Sequence, residues 1–353
     1  MIVPTLRAGG SERIMSFLAN QLNKDYFKVY LCVLDGKDPF YKIDPDHVSQ
    51  INLNSTRARS AIFKIYKLVK NIQPDIVFST LGHLNILIAF LKYFLSKKIK
   101  FVARESVIPS LGNKHSWSPV LFNFLTKIFY RNFHLIICQS VYMQTDLVNK
   151  YKVSRAKTIV IKNPVTIKEE TPKDNTPSST AFHFLSVGRL AKEKGYDRIF
   201  KALQPLKENY YYHIVGEGPE LTALVALSRK YNLEEKIIFH GNTREPFKEY
   251  GASHLFLMGS YYEGFPNVLL EAGVYGMPVI AFNAPGGINE ILVDKFNGFL
   301  VPDNEIAAYT HSIQEALQYN FDKDKIHDYI NAQFNPGVIL KLYEKTFSNL
   351  VLT

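Results

Sequence analysis

The sequence predicts an α/β protein of two domains, each built on a parallel sheet with helices on both faces. Three observations carry this prediction. Short apolar runs of strand length alternate with stretches of helical period along the whole chain, the rhythm of repeated strand–helix units. At 353 residues and 46% hydrophobic content the chain is longer than one core serves, because single cores stop growing near ~250–300 residues. Between Asn163 and Thr180 the apolar period vanishes, and Pro164, Pro172 and Pro177 stand among polar and charged residues, the composition of a linker. The division is a domain at 1–165, a linker at 166–180, a second domain at 181–335 and a terminal helix at 336–353.

In the first domain, residues 2–6 supply a short first strand, Gly9 and Gly10 a turn, and Ser11 opens a helix. Only five residues precede the glycine turn region in that strand, so the strand is expected to be weak and its start to lie upstream. Strands follow near 27–34, 75–80, 100–104, 135–139 and 158–162, separated by helices such as 57–70 and 141–150. The N–H groups of Gly9 and Gly10 suit an anion-binding concavity beside Arg7, although a plain tight turn has the same sequence.

In the second domain, the strand ending Phe184-Leu185-Ser186-Val187 runs into Gly188-Arg189-Leu190, and Glu193-Lys194-Gly195 opens a helix through Ile199 and Leu203. A strand-to-helix turn carrying Arg189 and Lys194 has the makings of a cationic phosphate clamp. Strand 211–215 leads to the turn Gly216-Glu217-Gly218, and strand 237–240 leads to Gly241-Asn242. From Glu263 to Glu271, two carboxylates stand eight positions apart around Gly264, Phe265, Pro266 and Asn267, where a loop turns into a helix with Val268, Leu269, Leu270 and Ala272 as its apolar face. One carboxylate falls in the loop and the other in the helix. Both suit sugar or ribose hydroxyls beside a phosphate at the helix start; two ordinary surface glutamates would share that spacing. Pro278 to Ala281, Pro285-Gly286-Gly287-Ile288-Asn289-Glu290 and Asn297-Gly298-Phe299-Leu300-Val301 complete the series.

This ordered set of motifs, filling most of 182–302, resembles glycosyltransferase family 4, the glycosyl transferases group 1 with two glutamates eight apart and the GT-B fold. The glycine turn at Gly9 and Gly10 extends the resemblance to the first domain. It implies two Rossmann-like domains facing each other across a deep cleft, with the terminal helix packing back on the first domain. It implies transfer of a sugar from a nucleotide diphosphate donor, with UDP the expected nucleotide, to a glycan or polyprenyl-linked acceptor in surface-polysaccharide synthesis, with retention of configuration. The roles it implies are diphosphate binding by Arg189, Lys194, Gly10 and the helix start at Asn267 and Val268, contact with donor-sugar hydroxyls by Glu263, and contact with ribose by Glu271. Gly9, Gly216, Gly218, Asn242, Thr243 and Phe265 would line the nucleotide pocket, with Arg244 and Glu245 either adding contacts or lying in a surface loop. Many relatives carry a histidine after the fourth strand of the first domain. Here Arg104-Glu105-Ser106 stands in its place, which makes Glu105 the replacement candidate, with His83 and then His115 behind it. A GT-B sugar-nucleotide epimerase and a non-catalytic nucleotide-sugar scaffold are the alternatives.

No cofactor and no metal are expected. The formal Asp-x-Asp matches, Asp44-Pro45-Asp46 and Asp322-Lys323-Asp324, lie in a proline-containing loop and a charged stretch, where solvated carboxylates are the simpler reading. Charge is divided unevenly: residues 1–165 hold 24 Lys and Arg against 9 Asp and Glu, and residues 166–353 hold 18 against 23. The basic half mixes aromatics with Lys92, Lys97, Lys98, Lys100, Lys127 and Arg131, which suits an anionic membrane surface. Core-facing helices with a wet basic side fit equally, whereas nucleic acid ranks last because no such motif accompanies the charge. No run reaches the ~18–20 apolar residues of a spanning helix, so a cytoplasmic protein, peripheral at the inner face of the membrane, is expected. Cys32 and Cys138 fall inside strands as buried thiols.

Overall fold

The computed structural model describes residues 1–56, 58–112, 118–166, 181–243 and 247–352, without the side chains at 58, 59 and 247. The interdomain segment 167–180, His115, Arg244 and Glu245 lie outside the described residues. Two compact units result: Met1–Pro164 with Pro336–Thr353, and Val165–Asn335.

The first unit holds β1 (Ile2–Val3), α1 (Gly10–Gln21), β2 (Val29–Val33), β3 (Val48–Asn52), α2 (Ala58–Ile72), β4 (Ile76–Thr80), α3 (Gly82–Leu91), β5 (Lys100–Arg104), α4 (Pro109–Gly112), α5 (Pro119–Phe129), β6 (Leu135–Cys138), α6 (Val141–Tyr151) and β7 (Thr158–Val160). Its seven parallel strands run in the order β3-β2-β1-β4-β5-β6-β7. Alternate strand residues go to opposite faces: Cys32, Phe101 and Ile136 join one core cluster, and Leu31, Val33, Val102 and Ile137 the other. Both faces are therefore apolar, as a parallel sheet covered by helices requires. The strand β3 was not anticipated, because Val-Ser-Gln-Ile-Asn keeps only Val48 buried at the sheet edge and offers almost no apolar signal.

The second unit holds β8 (Phe182–Val187), α7 (Tyr196–Leu203), β9 (Tyr210–Val215), α8 (Leu221–Lys230), β10 (Ile237–Gly241), α9 (Phe247–Gly251), β11 (Leu255–Met258), α10 (Asn267–Val274), β12 (Val279–Phe282), β13 (Gly298–Val301), α11 (Ile306–Gln318) and α12 (Lys323–Gln333). Its parallel order is β10-β9-β8-β11-β12-β13. The strand β11 was also missed in sequence: four apolar residues, all buried, give no period to read.

The terminal helix α13 (Pro336–Leu352) belongs to the first unit. Ile339, Tyr343 and Phe347 enter the core cluster of β2 and α1, and Phe347 lies 5.2 Å edge-on from Phe78 of β4. Tyr343 also accepts a hydrogen bond of 3.3 Å from the wholly buried Arg104 at the end of β5.

Candidate functional site

In each sheet the order reverses once, between β1 and β4 and between β8 and β11. Ligands of open parallel sheets sit beyond the carboxyl ends of strands at such reversals. In the second unit the loops after β8 and β11 carry Lys194 and Glu263. There the Lys194 ammonium meets Glu263 Oε1 at 2.7 Å, and Ser260 Oγ donates to the same oxygen at 2.7 Å. The carboxylate is half-enclosed, its side chain 11% exposed. Beneath it, burial and then the negative charge of Glu263 push the Tyr196 hydroxyl up from its ordinary value. Tyr262 is pushed up to about 12 by burial, then by Glu193 and Glu263.

The backbone around this carboxylate is clamped from two sides. Glu263 N–H donates to the Pro285 carbonyl at 3.0 Å, and Gly287 N–H donates to Gly264 O at 3.2 Å. Gly286 stands at φ +134°, and a Cβ there would overlap the Glu263 carbonyl, so the loop after β12 needs glycine at this close approach. On the other side, Arg198 of α7, 2% exposed, donates through Nε to Gly259 O at 2.9 Å and also bonds Ser260 O. Its guanidinium pairs with Asp303 at 2.7 Å and lies between the rings of Tyr261 and Phe282, 4.0 and 4.1 Å from their centroids. A buried cation thus shapes the turn that presents Ser260 and Glu263. Arg198, Ser260 and Tyr250 were not singled out in the sequence. Arg198 and Tyr250 act on partners 61 and 21 positions away, which no local spacing marks; Ser260 is only three positions from Glu263, a neighbour that could have been read but was not.

Glu271 lies in the second turn of α10, 3% exposed, and Tyr250 of α9 donates to its Oε2 at 2.8 Å. The Tyr250 ring stacks between Phe256 and Tyr275, which fixes the hydroxyl. Asn267 and Val268 form the first turn of α10, behind Pro266 at its N-cap. Arg189 is separate from the Lys194–Glu263 pair in its contacts. Its side chain is 67% exposed, with Glu193 at 3.8 Å, a weak tether at such exposure.

Several expectations need revision. Phe265 is 5% exposed with its ring against Phe334, so its side chain serves the core and not a ligand. Gly216 and Gly218 are explained by backbone crowding: a Cβ on either would overlap the carbonyl of Gly188 or Leu190. Their turn is stitched to its neighbours by Gly188 N–H to Val215 O, Leu190 N–H to Glu217 O and Gly216 N–H to Gly241 O, at 2.9, 2.9 and 2.7 Å. Asn242 N–H reaches Glu217 Oε1 at 3.3 Å, and Thr243 is half-buried beside it.

In the first unit, Glu105 does not meet the expectation of a sugar-contacting residue. It is 2% exposed, and its Oε1 accepts from Asn85 at 2.9 Å and from the Tyr130 hydroxyl. Burial raises its carboxyl to about 7 despite these donors and Arg104. Gln139 donates to its backbone carbonyl at 2.7 Å and receives from Asn163, which accepts from Arg104 at 2.6 Å. The network organises the ends of β5 and β6, and Glu105 is one of its structural members. His83 is exposed in the first turn of α3. Leu81 just before it holds φ +71°, a conformation that costs a bulky residue about 1–3 kcal/mol and concentrates at functional positions. Gly9 is extended at φ −177° and N-caps α1, exchanging hydrogen bonds with the Tyr41 hydroxyl at 3.1 and 3.4 Å; Gly10 opens the helix. Arg7 points to Asp35 at 3.4 Å and is half-exposed. Asp44 and Asp46 are exposed, and Asp322 caps α12 by accepting from Lys325 N–H at 3.1 Å. An apolar cavity of about 640 Å³ lies at the amino ends of β1, β2 and β4, the edge opposite to the reversal loops.

Comparison with known proteins shows the family and the fold. An N-acetylgalactosamine-N,N'-diacetylbacillosaminyl-diphospho-undecaprenol 4-alpha-N-acetylgalactosaminyltransferase of Campylobacter jejuni is 27% identical over 338 residues, 92% of this chain and 90% of its own. The amylovoran biosynthesis glycosyltransferase AmsD of Erwinia amylovora is 25% identical over 353 residues, 95% of this chain and 94% of its own. Among solved structures, Anabaena HepE in complex with UDP-glucose aligns with a TM-score of 0.80 at 18% identity, covering 99% of this chain and 98% of that one, which establishes the shared GT-B fold. Residues 8–169 match Glycosyltransferase Family 4 and residues 167–333 match Glycosyl transferases group 1. With both halves of the chain matched and Lys194 and Glu263 joined at the sheet reversal, the protein belongs to the GT-B glycosyltransferases of that family, among relatives that build bacterial surface polysaccharides.

Proposed function

We propose that this glycosyltransferase is a retaining, metal-independent hexosyltransferase that takes its sugar from a UDP-linked donor and gives it to a lipid-linked or polysaccharide-precursor acceptor. The observation that carries the reading is the Lys194–Glu263–Ser260 cluster at the carboxyl edge of β8 and β11, beside the start of α10. When a donor binds, the Lys194 ammonium transfers from Glu263 to the diphosphate, with Arg189 as the second cation. Glu263, released from that pair but still oriented by Ser260, accepts hydroxyls of the donor sugar. The N–H groups at Asn267 and Val268 face the diphosphate, Tyr250 holds Glu271 for the ribose hydroxyls, and the backbone at Asn242 and Thr243 takes the uracil. As the bond from the anomeric carbon to the diphosphate oxygen breaks, charge grows on that oxygen and the two cations stabilise it. The acceptor oxygen bonds to the same face of the anomeric carbon and passes its proton to the departing phosphate.

Supporting the donor are the solved structure with UDP-glucose and, for the acceptor, the diphospho-undecaprenol in the Campylobacter relative's name. Supporting a membrane-borne acceptor is an exposed apolar face on the first unit. Phe90, Tyr93, Phe94, Phe124 and Ile128 are 40–65% exposed, with Lys97, Lys98 and Lys127 also exposed nearby in sequence. No helix among the described residues is long and apolar enough to cross a membrane; attachment through such an exposed face is the mode this reading takes.

The test is incubation with a panel of UDP-sugars and polyprenyl-diphosphate-linked sugars, with the product's anomeric configuration read by NMR. An α-linked product from an α-linked donor is expected. A β-linked product would overturn retention, and isomerised donor in the absence of acceptor would favour an epimerase. Binding of a nucleotide sugar without turnover would leave the scaffold reading, and failure to bind any nucleotide sugar would overturn the donor site itself.

A further inference from the structure

Four of the chain's ten histidines form a file across the second sheet. The backbone N–H of His183 on β8 donates to Nδ1 of His254, just before β11, at 3.0 Å. His183 Nδ1 lies 2.9 Å from His213 Nε2 on β9, and His213 Nδ1 lies 2.9 Å from His240 Nε2 on β10. The file ends at α9, where Glu249 Oε1 stands 3.9 Å from His240 Nδ1. Neighbouring rings along it are 5.2 Å apart between centroids for both His183–His213 and His213–His240. Strand alternation puts His183 on the face of Leu185 and His213 on the face of Val215, the side on which Tyr250 of α9 packs.

None of these residues enters the donor site proposed above, and hydrogen bonding alone gives little reason to align so many imidazoles. We propose that His213, His240 and Glu249 form a binding site for a divalent ion of the zinc class, with His183 as the partner that orients His213. One ligand atom from each of the three lies within 4.8 Å of the other two. A tetrahedral ion with bonds of about 2.0–2.2 Å spreads its ligand atoms roughly 3.3–3.6 Å apart, so the exposed His240 and the half-buried Glu249 close on an ion by modest side-chain shifts. Two imidazoles and one carboxylate leave a fourth position for water, and that donor set favours zinc-like ions over magnesium or calcium. Donation of His213 Nε2–H to His183 Nδ1 turns the Nδ1 lone pair of His213 toward the ion, the role of an outer partner in metal sites. The ion takes the place of the proton between His213 Nδ1 and His240 Nε2; that proton moves to His240 Nδ1, so both imidazoles bind as neutral ligands.

The ion would tie the end of β10 to α9. His240 directly precedes Gly241-Asn242-Thr243, and Glu249 directly precedes Tyr250, which holds Glu271. Tightening of UDP binding by zinc is the consequence, and this part alone rests on the proposed donor site.

The test uses the tag-free full chain, stripped with chelator, dialysed against Zn²⁺ and then assayed for metal, with Co²⁺ absorption reporting coordination. One ion per chain is expected, with a four- or five-coordinate cobalt spectrum. His240→Ala should abolish uptake and Glu249→Gln should weaken it at least tenfold; His183→Ala should weaken it by about 10–100-fold. Uptake by the wild type no greater than that of His240→Ala, or a spectrum of six-coordinate aqueous cobalt, overturns the site. Because His240 is exposed, its variant should keep the wild-type circular dichroism and remain decisive even if a His213 variant does not fold. Zinc uptake without any UDP binding would count against the donor reading only. UDP binding with no zinc uptake would count against the metal site only.

Discussion

Lys194 and Glu263 neutralise each other at 2.7 Å, and that contact holds a cation at the edge where the proposed diphosphate would lie. Lys194→Ala should therefore lower kcat by about 10²–10³-fold, the loss seen when one preorganised donor to a developing charge is removed, while the fold is retained. Steady-state kinetics beside circular dichroism checks this, and an unchanged kcat would remove Lys194 from the chemistry. Glu105 makes a different prediction. Burial raises its carboxyl to about 7 in the folded protein from the ordinary 4.5, so the folded state holds the proton more tightly than the unfolded chain does. That contribution is full below about pH 4.5 and is lost as pH rises through about 7. Thermal unfolding should show the wild type losing more Tm than Glu105→Gln between about pH 5 and pH 8; equal losses would mean that Glu105 does not titrate as described. At this scale the sequence revealed the charged residues of the motifs. It could not reveal that Glu105 faces inward, because Asn85 and Tyr130 are 20 and 25 positions away.

The turn from Gly259 to Gly264 is held by other elements: Arg198 of α7 from one side and the loop after β12 from the other. Arg198→Met keeps the length of the side chain but strips donors from two carbonyls and leaves Asp303 unpaired. A loss of about 1–3 kcal/mol is expected in the stability of the second unit, in line with leaving a buried carbonyl without its donor, measured by urea unfolding. Gly286→Ala should act on the same turn by steric means, displacing the Glu263 carbonyl and weakening UDP binding with little change in the rest of the fold. Calorimetric titration with UDP checks it, and wild-type affinity in this variant would show that the Glu263 backbone has no part in binding. Helices and most strands were legible from period and composition. The strands β3 and β11 were not: β3 is a polar edge and β11 a fully buried tetrapeptide, and the loop after β11 bears the central carboxylate.

Across the whole chain, the basic charge of residues 1–165 and the exposed aromatics of α3 and α5 fall in one unit, and the nucleotide-sugar motifs fall in the other. Co-sedimentation with anionic vesicles is expected to exceed that with neutral ones and to fall with salt, since each basic residue near an anionic surface contributes ~1 kcal/mol. Equal recovery would remove the electrostatic part of the membrane reading. The order of motifs along the chain was enough to determine the two-domain α/β class and the glycosyltransferase family, because strand length, glycine turns and apolar period are local properties that a linear pattern records. Only the folded structure decided that Lys194 and Glu263 pair, that Arg198 underpins their turn, that Phe265 and Glu105 serve the interior, and that four histidines line up across three strands and the entry to a fourth. Those relations join residues tens of positions apart, and parallel strands bring such residues together through crossovers whose register no local pattern encodes.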